Sequence, residues 1–230
     1  MLRLIGVLFC MLALSLPLGA EPSLRPYSAE YTVQLNGLKV GELQRSLRRQ
    51  GEQTYLLETR AYTTGLASWF KPDEVVEKSR WRFEQGEPVP LRYDYSYSGR
   101  RSDVLERQEF DWQQGVLRSL RDGKTTSIDL EPGLLDKQVF EIAMQQGLEQ
   151  GAQTGSHRVA LRGRITDYAY RVLAREQMVT RPFGEVETLK VQRGNTTMWL
   201  APAHDYIVVR IRQRDGGNTA NSYITQVSYH

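Results

Sequence analysis

The fold is decided by residues 27–47, which read YSAEYTVQLNGLKVGELQRSL. Apolar or small side chains occupy every second position from Tyr27 to Leu35, and polar side chains stand between them. Alternation with a period of two predicts a strand with one buried face. Asn36-Gly37 follows directly, and this pair favours the tight turn of a β-hairpin. The return strand begins at Leu38, and a change of the apolar phase after Gly41 predicts a β-bulge there.

The same alternation recurs along the chain, for example in 91–97, 185–192 and 222–228. Turn residues separate the alternating segments at intervals of roughly eight to twelve residues, which is typical of antiparallel sandwiches and barrels. No stretch of Pro, Gly or Ser is long enough to be a linker between domains. Residues 21–230 are therefore predicted to form a single β domain.

One segment departs from the strand pattern. After Pro132-Gly133, apolar residues follow helical spacing, and a helix is expected within about 134–147. Its stripe comprises Leu135, Val139, Ile142 and Ala143, with Phe140 and Met144 beside it. The predicted fold class is mainly β: a single antiparallel β-meander curled into a barrel or half-barrel, with one amphipathic helix packed against it.

Residues 1–20 have the layout of a secretory signal peptide. Arg3 supplies a positive charge, 4–16 is almost wholly apolar, and Leu18-Gly19-Ala20 places small residues before Glu21. The apolar run is shorter than the roughly 20 residues that span a bilayer, so a cleaved signal is favoured over a membrane anchor. We expect a periplasmic protein with no stable membrane span after cleavage.

The residue types argue against several classes of site. Cys10 is the only cysteine, so the chain after the signal segment has no disulfide, thiolate ligand or cysteine nucleophile. His157, His204 and His230 share no metal-ligand spacing, and no Gly-x-Ser-x-Gly motif occurs. The formal net charge is only +3 and lacks the clustered stripe of a nucleic-acid-binding domain. We expect no metal, no cofactor and no nucleic-acid partner, and catalysis is not favoured.

Two bulky aromatic residues stand out in a short segment between strands. Trp69 and Phe70 follow Gly65-Leu66-Ala67-Ser68, where they either cover the mouth of a cavity or plug the core. If they cover the mouth of a cavity, the predicted ligand-binding residues are Trp69, Phe70, Leu135, Val139, Phe140 and Ile142. Separately, Arg210, Arg212 and Arg214 share one face of a predicted strand. That face is either solvated or able to contact anionic head groups or sugars.

The C-terminal third resembles a known family. Residues 180–191 read TRPFGEVETLKV, 197–202 read TMWLAP, and 206–211 read YIVVRI. Together they resemble the exported bacterial family called domain of unknown function 3108. In that family the last segment contains a Pro-Val-Arg-like triplet, where this chain has Val208-Val209-Arg210. The resemblance implies an exported β protein and assigns no catalytic residue.

A second resemblance concerns architecture. An antiparallel sheet with a covering helix is similar to the half-barrels of periplasmic lipoprotein carriers, which enclose an apolar cavity. These observations predict a periplasmic, non-catalytic protein that binds an apolar or amphipathic ligand or a lipidated partner. Its partner would be a lipid, a lipoprotein or another envelope component. The alternatives are an envelope scaffold that binds protein or glycan and, third, a secreted hydrolase.

Export gives the first testable prediction. N-terminal sequencing of the protein from a periplasmic extract should begin near Glu21, because the signal segment is removed during secretion. Recovery of intact Met1 from a soluble cytosolic fraction would contradict it.

Overall fold

Fourteen β-strands and one α-helix make up the computed structural model, which describes residues 24–65, 73–100 and 102–230. The strands before the helix are β1 (Tyr27–Leu35), β2 (Leu38–Arg49), β3 (Thr54–Thr63), β4 (Glu74–Glu84), β5 (Glu87–Ser98), β6 (Val104–Asp111), β7 (Val116–Arg121) and β8 (Lys124–Asp129). The helix is α1 (Val139–Glu149). The strands after it are β9 (Thr154–Leu161), β10 (Arg164–Thr180), β11 (Gly184–Arg193), β12 (Thr196–Ala201), β13 (Ile207–Asp215) and β14 (Asn218–Tyr229).

All the strands belong to one antiparallel sheet, built from two meanders. β1 to β8 pair in sequence order, and so do β9 to β14. The meanders join where β1 pairs with β14, so that Tyr27 lies opposite Tyr229 in the middle of the sheet. The two edge strands, β8 and β9, are consecutive in the chain and are connected through α1.

The first hairpin has the predicted turn and bulge. Asn36 and Gly37 both have positive φ, 50° and 88°, as a type I′ turn requires. In the β1–β2 pairing, Val33 lies opposite Gly41 and the next residue opposite Lys39, which leaves Val40 as the extra residue of a bulge. A Cβ on Gly41 would collide with the carbonyl oxygen of Tyr62 in β3, so this position requires glycine.

The sheet curls until its two ends meet, although their backbones do not form a ladder. Phe110 and Leu117 of β6 and β7 pack against Ala160 of β9, near the opposite end of the strand order. The Nε2 of Gln108 in β6 donates to the carbonyl oxygen of Ala160 at 3.3 Å. The backbone N–H of Arg162 donates to the Oε1 of Glu106 in β6 at 3.1 Å. Side chains therefore close the curled sheet.

The helix α1 fills part of the interior. Its buried residues are Val139, Phe140, Ile142, Ala143, Met144 and Leu148, which pack against strands of both meanders. Sheet residues of the same cluster include Leu57, Trp81, Val159, Val191 and Leu200. The predicted fold class is confirmed: one antiparallel sheet of fourteen strands, barrel-like and unclosed, with one helix within the described residues.

The helix begins later than its apolar spacing predicts. Leu135 does not lie on α1 but forms an isolated parallel bridge with Val159 of β9. Its N–H donates to the Arg158 carbonyl at 3.0 Å, and its carbonyl accepts from Ala160 N–H at 2.8 Å. An extended residue can share the apolar spacing of a helix by coincidence, and backbone pairing with β9 decided the conformation here.

The strand β12 is buried on both faces. Met198 and Leu200 belong to the cluster around α1, whereas Trp199 and Ala201 belong to a second cluster with Tyr31 of β1. The tyrosine hydroxyl donates to the Val208 carbonyl at 2.8 Å. Strand β12 therefore separates two regions of the core.

Candidate functional site

The start of α1 is fixed by a buried carboxylate. Asp136 has no solvent exposure, and its Oδ1 accepts from the backbone N–H groups of Gln138 and Val139 at 2.8 and 2.9 Å. Its other oxygen, Oδ2, accepts from the hydroxyl of Ser79 in β4. Free N–H groups in the first turn of a helix need such an acceptor. Asp136 therefore caps the helix and attaches it to the sheet.

Two ion pairs attach the same end of the helix to the sheet. Lys137 Nζ lies 2.6 Å from Oε1 of Glu77 in β4, whose other oxygen accepts from the Tyr93 hydroxyl at 3.1 Å. Arg45 Nη1 of β2 lies 2.6 Å from Oε2 of Glu141. Arg45 is only 6% exposed, so loss of Glu141 would leave a charge buried without a partner.

The predicted ligand-binding residues on the helix are core residues. Val139 and Phe140 are fully buried and Ile142 is 3% exposed, so none of them presents a surface to a ligand. Leu135 is also buried, but it lines a groove described below. Trp69 and Phe70 lie outside the described residues. That they cover the mouth of a cavity therefore stays a prediction.

A groove opens where the β5–β6 ladder ends. β6 pairs with β5 from Arg92 to Tyr97, so residues 87–91 of β5 have no partner strand on that side. Pro88 and Pro90 lie in this unpaired stretch, and proline has no N–H to leave unsatisfied at a sheet edge. The indole Nε1 of Trp112, just after β6, donates to the Pro90 carbonyl at 2.7 Å.

This end groove has a volume of about 770 Å³. One wall is the unpaired stretch of β5 with Phe83, and the other is the segment 132–135 that leads into α1. Ala143 of the helix, Trp112 and His157 complete the lining. The groove thus reaches the helix from outside, and its walls are mainly apolar. Volumes of about 300–1,000 Å³ are typical of small-molecule sites.

The polar groups of the end groove lie around its rim. Gln53, Glu84, Gln85 and Glu87 contribute amide and carboxylate groups. Burial lowers the pKa of His157, an effect that the nearby charge of Glu87 partly offsets. The imidazole is therefore neutral at pH 7, and its ring lies parallel to that of Tyr170, with 6.4 Å between centroids.

A second depression, the outer groove, lies over β4 to β7. It has a volume of about 760 Å³ and includes Val76, Leu105 and Leu120. Leu105 is 66% exposed and Leu120 is 42% exposed. The guanidinium of Arg107 pairs there with Asp94, the Nε–Oδ1 distance being 2.9 Å. This surface combines exposed leucines with charges that are already paired.

The three histidines have separate structural roles. His157 packs beside Phe140, His204 stacks on Phe183 with 3.7 Å between centroids, and His230 shares a hydrogen bond with Ser28. Among the residues that the structure describes, no group of three or more metal-ligating side chains comes together. Over the same residues, no helix has the length and apolarity needed to cross a bilayer.

Sequence reasoning missed the end groove. Pro88-Val89-Pro90 was a usable signal, because two prolines within a strand indicate a stretch that lacks a partner. The contributions of Trp112, Leu134 and His157 could not be found in this way. They reach the groove through pairing between distant segments.

Asp136 gives a prediction about stability and pH. Burial raises the pKa of this carboxyl from 3.8 to about 6, against the lowering effect of its hydrogen bonds with Ser79, Val139 and Gln138. The folded protein therefore binds a proton more tightly than the unfolded chain. Lowering the pH from 7.5 to 5 should therefore raise the free energy of unfolding by about 1 kcal/mol through this group, which stabilises the folded protein.

Urea unfolding at both pH values would measure the effect. Asp136→Asn keeps an oxygen that can accept from the helix N–H groups but cannot titrate, so the variant should lack this part of the pH dependence. Asp136→Ala removes the cap and should lose about 1–2 kcal/mol at pH 7.5. Identical pH dependences for the parent protein and Asp136→Asn would show that Asp136 does not titrate as described.

One solved structure shares this architecture. A β-barrel-like protein of domain of unknown function DUF1849 from Brucella abortus has a TM-score of 0.62 at 9% identity, covering 90% of this chain and 98% of its own. A protein from Bacteroides fragilis, described as exported and with a YmcC-like fold, has a TM-score of 0.38 at 12% identity with the same coverage. No curated protein matches the chain. The model of the family "Protein of unknown function (DUF3108)" matches residues 30–225, and the chain therefore belongs to that family.

Proposed function

We propose that the protein is a non-catalytic binding protein of the bacterial cell envelope that holds an apolar or amphipathic chain in the end groove. The observation that carries this proposal is the groove itself, about 770 Å³ of space beside the unpaired stretch of β5. Val89 and Trp112, which are partly exposed, offer apolar surface to a ligand there. The signal segment predicted at residues 1–20 supports a periplasmic location.

The charges around the opening of the end groove indicate which head group a ligand could carry. Glu84 and Glu87 bring negative charge to the opening, and His157 is neutral at pH 7. Arg82 pairs with Glu84, which leaves Glu87 as the carboxylate with no ion pair among the described residues. A carboxylate or phosphate at the end of the ligand would be repelled there. A neutral or cationic head group on an apolar chain fits best.

The filled interior favours a second candidate, an envelope scaffold. Val139, Phe140 and Met144 occupy the space that a ligand takes in an open half-barrel. The exposed leucines of the outer groove would then form the contact surface for a protein or glycan. In that case the end groove is a surface depression with no ligand.

Titration with N-phenylnaphthylamine, a neutral apolar fluorophore, separates the two candidates. The binding protein should enhance its fluorescence saturably. Val89→Asp places a carboxylate in the apolar wall, opposite Arg82 in the β4–β5 register. It should weaken binding about tenfold or more, because an apolar probe that covers the carboxylate removes it from water. Val76→Asp makes the same substitution in the outer groove and is the matched control, with binding expected to stay unchanged.

Three results would contradict the binding proposal. These are failure of the parent protein to bind the probe, an equal loss of binding in the two variants, and binding by Val89→Asp as tight as that of the parent. Unfolding midpoints of both variants must accompany the titration. Native mass spectrometry of protein from its own periplasm adds an independent readout, because a retained amphipath would appear as a defined increase in mass.

A further inference from the structure

Arginines line one face of the C-terminal meander. Arg210, Arg212 and Arg214 alternate along β13 and so share a face of the sheet. In the β12–β13 register Arg210 lies opposite Trp199, and in the β13–β14 register Arg212 lies opposite Asn221. We call this set of three arginines, with Trp199 and Asn221, the arginine face.

Trp199 holds two of the arginines in place. The Cζ atoms of Arg210 and Arg212 lie 4.6 and 5.2 Å from its ring centroid. The indole is 2% exposed, and its Nε1 donates to Oε2 of Glu176 at 2.8 Å. Cation–π contacts with a fixed ring restrict both guanidinium groups before any partner arrives.

None of the described carboxylates forms an ion pair with the arginine face, although the charge of Glu176 acts on Arg210 from a greater distance. Within the described residues, no carboxylate oxygen lies within 4.0 Å of these three guanidinium groups. Arg210 Nη2 and Arg212 Nε instead share one neutral acceptor, Oδ1 of Asn221, at 3.0 and 3.4 Å. The buried Nε of Arg210 has no hydrogen-bond partner.

Other arginines of the sheet differ in this respect. Arg48 pairs with Glu58 and Arg175 with Glu187, each at 2.6 Å. Two adjacent guanidinium groups that share one amide oxygen repel each other, and an anion placed beside them would relieve the repulsion. The arginine face therefore has the charge of a site for anions.

We propose that the arginine face binds the anionic phosphate groups of a lipid bilayer surface. Successive arginines on a strand are about 7 Å apart, so the three span about 14 Å along β13. The guanidinium groups of Arg210 and Arg212 nevertheless converge on Asn221. Arg214 lies about 7 Å beyond Arg212 along the strand, so the face offers two separate positions for anionic groups, which a bilayer surface fills and a single compact anion does not. The planar fork of arginine suits phosphate oxygens. This inference is independent of the end groove, which contains none of these residues.

Co-sedimentation with lipid vesicles tests the proposal on the mature chain. Vesicles of phosphatidylcholine with phosphatidylglycerol should bind the protein at low ionic strength, and vesicles of phosphatidylcholine alone should not. The double variant Arg212→Gln/Arg214→Gln should partition about 25-fold less, since each basic residue near an anionic surface contributes about fivefold. Raising the salt concentration should weaken binding of the parent protein.

Arg48→Gln/Arg175→Gln is the matched control, because it removes two exposed positive charges that already have carboxylate partners. It should partition like the parent. An equal loss in both double variants would mean that net charge alone acts, and would overturn the proposal. So would equal binding of the parent and Arg212→Gln/Arg214→Gln, or no binding to anionic vesicles.

A competition arm distinguishes a membrane surface from a compact anion site. Inorganic phosphate at millimolar concentration should displace the protein no more than chloride of equal ionic strength. Saturable displacement by phosphate would overturn the proposal in favour of a soluble anion. If the double variant proves unstable, Arg214→Gln alone serves, because Arg214 is exposed and should still reduce partitioning about fivefold.

Discussion

The capping of α1 by Asp136 is the interaction on which the rest of the structure depends. A curled sheet whose edges do not pair encloses a space that something must fill. The helix fills it, and its first turn is buried, where free N–H groups would be costly without an acceptor. Asp136 satisfies two of them and bonds Ser79 of the sheet at the same time. The bridge of Leu135 with Val159, one residue earlier, attaches the same segment to edge strand β9.

The grooves follow from how the sheet is closed. Because side chains rather than a backbone ladder join the two ends, the segment 132–135 can run beside β5 without pairing with it. Pro88 and Pro90 in that stretch of β5 have no N–H group to leave unsatisfied. The end groove therefore opens at the end of the sheet, while the interior around Phe140 stays packed. A ligand in the end groove would contact the helix only at Ala143.

Local patterns in the sequence account for most of the fold. Alternation predicts the strands, Asn36-Gly37 predicts the first turn, and the phase change at Gly41 predicts the bulge. The end groove was harder to predict from the sequence, because it depends on contacts between distant segments. Helical spacing placed Leu135 on the helix, although pairing with Val159 makes it extended. The same stripe suggested a cavity wall, whereas Val139 and Phe140 are fully buried in a cluster with residues of both meanders.

Native-state hydrogen exchange measures most directly whether α1 is an integral part of the core. If the helix fills the curled sheet as described, the amides of residues 142–148 should exchange only through global unfolding. Their opening free energies should then equal those of the central strands β2 and β3. Exchange of the helix amides through a local opening, far faster than that of β2 and β3, would contradict the account. It would instead show that α1 is a lid that leaves the sheet intact.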